Sequence, residues 1–426
     1  MALFLLLLSL SIPAFAEVYP VNAGDFALLV SDEGEITCPR GAYSALIDLG
    51  GGAFAAQDTK TGLWCVADEN GTPLTDAAYS LIYPEGGAVF AILDGKIGSL
   101  DETFRENIPC KYTQLVANGK GGFLGITSDP YDDRADGVYH VAADGTQTAT
   151  GIRIIYGLGF FSEGLMPILS SDTNAYGYLS PEGSWAIDAQ YDYAGSFHHG
   201  TAEAALESGL GLIDTDGNWL LTPRYTSLSI NTGDSNMVLA QEDAESVTLI
   251  DGKTGEKVKT FEGEEIWFIA GYSKDIAEIL YPDKSILIDE KGNVLREDGT
   301  DTFYYLSDCG HLFMSVGDLM FLVDLQGNTL SDAYRQISCL AEIDGKSYFA
   351  VTNYDVEVEE EADTGWSGSF AVEGSMTMGI INEAGKSVLE MGEYRDILPV
   401  GGRFILLKTE KEAFLYDLIS GESTKL

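Results

Sequence analysis

Basic residues are scarce in this sequence: 24 lysines and arginines stand against 67 aspartates and glutamates, a formal net charge of −43. A surface of that sign repels phosphate backbones and anionic bilayers, which excludes nucleic acid and acidic membranes as partners. Cysteine is sparse too, at five, and no C-x-x-C pair occurs, so neither a zinc knuckle nor a dithiol redox motif is supported. At most two disulfides can form; Cys309 with Cys339 is the pair to check first, and buried free thiols are the alternative. The histidines are His140, His198, His199 and His311, too few to assemble a ligand set or a triad from the sequence. Helical periodicity is nearly absent, and apolar runs of four to six residues broken by Gly, Asp and Asn predict short strands throughout.

After the first sixteen residues no apolar run is long enough to cross a bilayer, which takes about 18 residues. The opening run, Leu3 to Leu10, followed by the small residues Ala14 and Ala16 ahead of Glu17, reads as a signal peptide over 1–16 even though the basic n-region is missing. A buried N-terminal strand is the competing reading. No cysteine follows the run, so a lipoprotein anchor is not indicated. The expectation is an exported protein, secreted or associated with the cell surface or envelope, with no membrane insertion after cleavage. Hydrophobic content of 45% with 11% aromatics is far too high for a disordered acidic tail, so the chain folds under a charged skin.

What organises the chain is a turn. Short acidic or polar segments ending in glycine recur as "ADENG", "AADG", "SPEG", "DTDG", "DEKG", "DLQG", "NEAG" and "DLISG". With Gly34 and Gly255 the final glycines are Gly71, Gly145, Gly183, Gly217, Gly292, Gly327, Gly385 and Gly421, at intervals of 37, 74, 38, 34, 38, 37, 35, 58 and 36. A period of about 37 residues falls in the range of β-repeat units. The interval of 74 spans two repeats, with Phe104 of "LDETF" in the place of the glycine; the 58 carries an acidic loop insertion near 354–376 that includes Trp366. A tyrosine keeps phase at Tyr43, Tyr79, Tyr112, Tyr156, Tyr191, Tyr225, Tyr334 and Tyr394, and glycines then precede a further apolar run, as in "GGAVFAIL" and "GGRFILL". Each unit therefore reads strand, turn, strand, glycine, strand.

The segment "YGYLSPEGSWAIDAQYDYAGSFHHGTAEA", Tyr176 to Ala204, resembles the WG repeats of bacterial proteins, with Gly177, Tyr178, Gly183, Tyr191, Asp192, Phe197, Gly200 and Ala202 in the corresponding places. "LGLIDTDGNWLLTPRYTSL" repeats the opening half, while Tyr176, Leu210, Ile97 and Met378 stand where the family's name has tryptophan. The resemblance implies an envelope or interaction setting and no reaction. The fold class is all-β: residues 17–426 form about ten tandem repeats plus a C-terminal hairpin, "AFLYDLISGES", that is expected to pair with an N-terminal strand and close an edge. The array is propeller-like, as one large ring or two smaller rings, or is an open superhelical array of β-hairpins.

The "DTDG" of Gly211–Trp219 looks like half of a calcium loop, but the same phase elsewhere reads "SPEG", "DLQG" and "NEAG", so Asp214 and Asp216 are assigned to turn chemistry. His198 and His199 occupy the place of Ser162-Glu163 in the preceding repeat, a surface turn. Acidic pairs such as Asp132-Asp133 are weak markers in a chain this rich in carboxylates. Trp185 and Trp219 each stand two residues after a turn glycine, where other repeats have Gln147, Lys257, Thr329 and Ser387; they are the candidate ligand-binding residues, as an exposed platform for sugar rings or apolar side chains, with packing against the next repeat as the alternative. No catalytic residue, metal or cofactor is expected. The sequence predicts a non-catalytic binding scaffold for a protein or an envelope glycan; the alternative is a propeller hydrolase acting on glycans through clustered carboxylates.

Overall fold

The computed structural model of the chain describes residues 17–24, 26–128, 137–231, 236–263, 265–272, 276–299, 301–307, 309–358 and 371–426. The candidate signal peptide, Asp132-Asp133 and Trp366 lie outside these. Among the described residues every regular element is a strand, and the strands form ten sheets that succeed one another along the chain as the blades of one β-propeller. The blades span 18–68, 81–112, 114–149, 154–191, 193–225, 227–262, 268–298, 302–323, 336–392 and 396–425. Of the arrangements the sequence left open, the structure is the single large ring.

Strand order follows chain order in every sheet, so each blade is an antiparallel meander. First strands of neighbouring blades lie side by side, Ser227–Ile230 beside Phe268–Tyr272 and Gln336–Ile343 beside Asp396–Gly401, which sets them around the axis and the fourth strands on the rim. The stretch through the phased tyrosine, read from the sequence as one strand, is two. Tyr112, Tyr191 and Tyr225 each end a fourth strand, and the next blade opens two residues on, at Gln114, Tyr193 and Ser227. The tyrosine marks where the chain leaves the rim of one blade for the axis of the next.

Two sheets depart from four strands. The first has five, because Ile36–Gly50 pairs with Ala27–Ser31 through Tyr43 and then with Ala53–Asp58 from Tyr43 onward. Two of the phased turns, at Gly34 and Gly71, therefore belong to one sheet. The eighth has three, Thr302–Leu306, Leu312–Val316 and Leu319–Val323, with the following segment held by the single bridges Val323↔Thr329 and Met320↔Tyr334. A disulfide between Cys309 and Cys339, Cα atoms 6.0 Å apart, ties this thinner blade to the first strand of the ninth. Closing a loop of this length contributes about 3–4 kcal/mol. Cys38 and Cys65 are buried free thiols and Cys110 is a half-buried one. In the ninth blade the strands Lys346–Val358 and Ala371–Asn382 stay paired as far as Val358↔Ala371, so the base of the insertion is a long hairpin.

The blades are held together by the turn between third and fourth strands. Gly217 has φ +81°, a conformation that costs an L side chain about 1–2 kcal/mol, and a Cβ there would stand 2.8 Å from Ile187 Cγ2 of the preceding blade. The turn backbone thus docks directly on its neighbour. Tyr191 of that neighbour donates its hydroxyl proton to the Gly217 carbonyl at 3.2 Å, and within the five-stranded first sheet Tyr43 bonds to the Gly71 carbonyl in the same way at 2.9 Å. Beneath the docked turn lies an apolar seam. Between blades four and five it contains Tyr178, Ile187, Tyr191, Phe197, Ala202 and Ile213, each under 5% exposed, and a buried side chain of this size contributes about 1.5–3 kcal/mol. Phe104, which replaces the glycine, holds the same positive φ, +60°, and its ring joins the seam between the first two blades.

The ring closes by packing. Val21, Ala23, Phe26, Leu28 and Val30 of blade one share a core with Phe404, Leu406 and Leu415 of blade ten, and Lys408 Nζ donates to the Ala23 carbonyl at 2.7 Å. The ring of Tyr19 lies against Gly401 and Gly402. The C-terminal hairpin does not pair with an N-terminal strand: Ala413–Asp417 and Ser423–Lys425 are the last two strands of blade ten itself.

Gly217→Ala tests the docking of the turn against a turn with open space around it. Gly87 also has positive φ, +79°, but nothing lies within 4 Å of a Cβ there. Chemical denaturation should show Gly217→Ala costing about 3 kcal/mol and Gly87→Ala about 1, the difference being overpacking against the neighbouring blade. Equal costs would mean that the turn does not bear on the next blade.

Candidate binding surfaces

The calcium-like loop is a self-satisfied turn. Asp214 Oδ1 accepts from the backbone N–H groups of Asp216 at 3.0 Å and Asn218 at 2.8 Å, while Oδ2 accepts from Asn218 Nδ2 at 3.1 Å. Asp289 and Asp324 make the same three bonds in their own repeats. Partial burial opposes ionisation of Asp214, but the bonds from Asn218 and Asp216 outweigh it and hold the carboxyl below its ordinary range. A carboxylate used this way is a fixed part of the turn. Among the described residues no group of three His, Cys, Asp or Glu side chains is placed to hold a metal.

His198 and His199 lie in the turn between the first two strands of blade five. His198 and Thr201 exchange backbone hydrogen bonds at 2.8 and 3.1 Å, as Ser162 and Leu165 do one blade earlier at 2.9 and 3.0 Å, and His199 matches Glu163 in positive φ, 53° against 52°. The equivalence read from the sequence holds at the level of backbone geometry. His311 sits elsewhere, with Nε2 2.9 Å from Ser347 Oγ and its ring edge-on to Phe349.

Trp185 and Trp219 open the fourth strands of blades four and five, and both are half-buried. Trp185 packs on the seam containing Leu124, Ile126, Met166 and Leu179. Trp219 lies edge-on to Tyr191 at a centroid distance of 5.6 Å, with its six-membered ring over Gly211, where a Cβ would come within 2.7 Å. Each indole covers its own seam, one blade apart from the other. Trp219→Ala should accordingly lower unfolding free energy by about 2 kcal/mol, roughly half the cost of a fully buried tryptophan, measurable by chemical denaturation. A change within about 0.5 kcal/mol would favour the exposed platform instead.

A concavity lies on the face where the interstrand turns gather, across the first three blades. It encloses about 1730 Å³, and Glu17, Asp48, Asp68, Glu69, Asp101 and Glu102 line it with no Lys, Arg or His among the lining residues. Apolar residues, among them Val89 and Phe104, contribute to the remaining wall, and paired glycines at Gly51-Gly52, Gly86-Gly87 and Gly121-Gly122 form part of the rim. Three of the carboxylates are anchored by backbone N–H groups: Asp48 by Gly50, Asp68 by Asn70 and Thr72, and Asp101 by Thr103. Glu17 accepts from the Tyr19 hydroxyl at 2.6 Å. The site was visible in the sequence only as two acidic turns, "ADENG" and "LDETF"; that they face one cavity depends on the ring.

Two carboxylates lie away from this cavity in contrasting settings. Glu278 is 1% exposed, and its oxygens accept from Ser285 Oγ at 2.5 Å and the Tyr304 N–H at 3.3 Å. Glu203 is half-buried on the second strand of blade five, and burial pushes its carboxyl above the ordinary range, with the Tyr193 and Tyr178 rings as its titratable neighbours. A carboxyl whose folded pKa is raised favours the native state while protonated and loses that advantage as pH rises from the unfolded value, about 4.3, through the folded one. Glu203→Gln should therefore be more stable than the parent at pH 7, with the gap closing toward pH 4. Thermal melts across that range check it, and a gap independent of pH would refute it.

Comparison with known proteins bears on the repeat. Residues 176–206 and 211–237 match the family model of the WG containing repeat. No curated protein matches the chain. Solved structures that align with it include apo AztD from Citrobacter koseri, at 10% identity over 74% of this chain and 93% of that one with a TM-score of 0.34. BamB from Moraxella catarrhalis aligns at 12% identity over 68% and 93% with a TM-score of 0.29, and a eukaryotic initiation factor at 9% over 96% of both chains with 0.43. With identities and scores this low the likenesses carry no functional argument. The two family matches straddle blades: each begins on the third strand of one blade and runs into the second strand of the next.

Proposed function

We propose that this protein is an exported, non-catalytic binding scaffold whose turn face receives a basic segment of another protein. The repeat and the propeller fold support an interaction scaffold, and the acidic cavity of about 1730 Å³ carries the choice of partner. Its carboxylates are set at several points around the wall, and no lysine, arginine or histidine is among the lining residues. Low-dielectric walls lined by one sign of charge concentrate ligands of the opposite sign and speed their association. The glycine rim leaves the backbone open to a chain lying across it. Asp48, Asp68 and Asp101 are committed to their turns, which suits fixed electrostatic recognition better than proton transfer.

Glu69 and Glu102 line the cavity without anchoring a turn, so the double variant Glu69→Gln/Glu102→Gln removes charge and leaves the backbone intact. Binding of a lysine-rich decapeptide, followed by calorimetry at low salt, should weaken about tenfold, with a shallower salt dependence, while the melting temperature holds. Unchanged affinity would overturn the assignment of the cavity. Release of reducing ends from a soluble glycan that is lost in the variant would instead favour the hydrolase reading.

A further inference from the structure

We infer a second cation site, independent of the acidic cavity: the Tyr193 ring and the Glu203 carboxylate, on one face of blade five, form a seat for a single guanidinium or alkylammonium group. The register places them together. Tyr193 pairs with Ala205 and Ala194 with Ala204, while Gly195 N donates to the Glu203 carbonyl at 2.9 Å, so residues 193, 195, 203 and 205 share one face and Ala194, Ala202 and Ala204 point into the seam on the other. Gly195 removes the side chain that would otherwise stand between the ring and the carboxylate: a Cβ there would lie 3.6 Å from the Tyr193 hydroxyl and 3.7 Å from Glu203 Cβ. The Gly195 carbonyl is fixed by the Tyr178 hydroxyl at 2.9 Å, and the Tyr176 ring stands edge-on to Tyr193 at 6.2 Å. The seat is therefore built on rigid elements.

The Glu203 carboxylate has no hydrogen-bond or ion-pair partner among the described residues, although the side chain is half-buried. A carboxylate partly withdrawn from water and left unpaired is costly, and an incoming cation removes that cost. Tyr193 is 45% exposed, which leaves its ring open to a ligand. One carboxylate beside aromatic rings offers a hard divalent ion too few oxygens, whereas an organic cation gains from both the charge and the ring quadrupole. Such a group arrives as an arginine side chain or as a quaternary ammonium headgroup, and both present the same chemistry to this seat.

The two sources separate in a titration of methylguanidinium chloride and, in parallel, tetramethylammonium chloride, followed by the NMR signal of the Tyr193 ring, assigned through Tyr193→Leu. The measurement is made on the full chain carrying Glu69→Gln/Glu102→Gln, so that the acidic cavity does not contribute. A saturable shift with at least one of the two salts, weakened at least tenfold by Glu203→Gln, is expected; the salt that saturates at lower concentration identifies the source. Neopentyl alcohol, of similar shape and no charge, should leave the signal in place. No saturable shift with either salt, or a shift that survives Glu203→Gln, would overturn the seat and leave the scaffold reading untouched. Because Glu203→Gln removes an unpaired charge from a half-buried site, the variant is expected to fold.

Discussion

The close approach of one turn to the blade before it is the constraint on which this molecule is built. The turn after each third strand ends in a residue with positive φ, and at Gly217 the backbone lies so near Ile187 that no side chain fits between them. The hydroxyl of Tyr191 reaches the carbonyl of that same glycine, so a steric requirement and a hydrogen bond fix one point of contact from its two sides. Aspartate at the head of the turn then ties down the N–H groups that the tight bend leaves without strand partners. Glycine, tyrosine and aspartate thus recur together because they serve one joint.

Much of this was legible before any coordinates. The glycine period, the phased tyrosines and the substitution at Phe104 all report the joint, and they belong to single repeats, where sequence spacing is enough. The all-β class followed from short apolar runs. What the spacing did not show was how the pieces are partitioned: the run through the tyrosine became two strands, since nothing in "AQYDYAG" or "PRYTSL" announces a crossing between blades. The turn at Asp214 was legible because its neighbours in phase lack the carboxylates a metal loop needs. Trp185 and Trp219 were harder, as a position that accepts lysine elsewhere can still lay a large ring along a seam when tryptophan occupies it. The acidic cavity and the pairing of Tyr193 with Glu203 depend on register and on closure, which join residues that no local pattern relates.

The charge of the chain is distributed with a corresponding division of labour. Carboxylates at the heads of turns are engaged by backbone N–H groups and act as architecture. Glu278 is engaged as fully inside a seam. Others, such as Glu69 and Glu102 at the cavity and Glu203 beside Tyr193, are not tied into a turn and remain available to a ligand. A net charge of −43 therefore says less about binding than where the acids not engaged by the fold are placed.

The repeat that straddles two blades has a mechanical corollary. Wherever the chain passes from a fourth strand into the next first strand, neighbouring blades are joined by a continuous covalent path as well as by packing, and at blades eight and nine a disulfide doubles the link. Blades ten and one have no such path, and rely on the core around Phe26 and Phe404, the bond from Lys408 and the fit of Tyr19 on two glycines. The ring is built as a belt with one buckle, so an opening that leaves every blade folded is expected there first, at the segment beginning with Glu17 that also lines the acidic cavity.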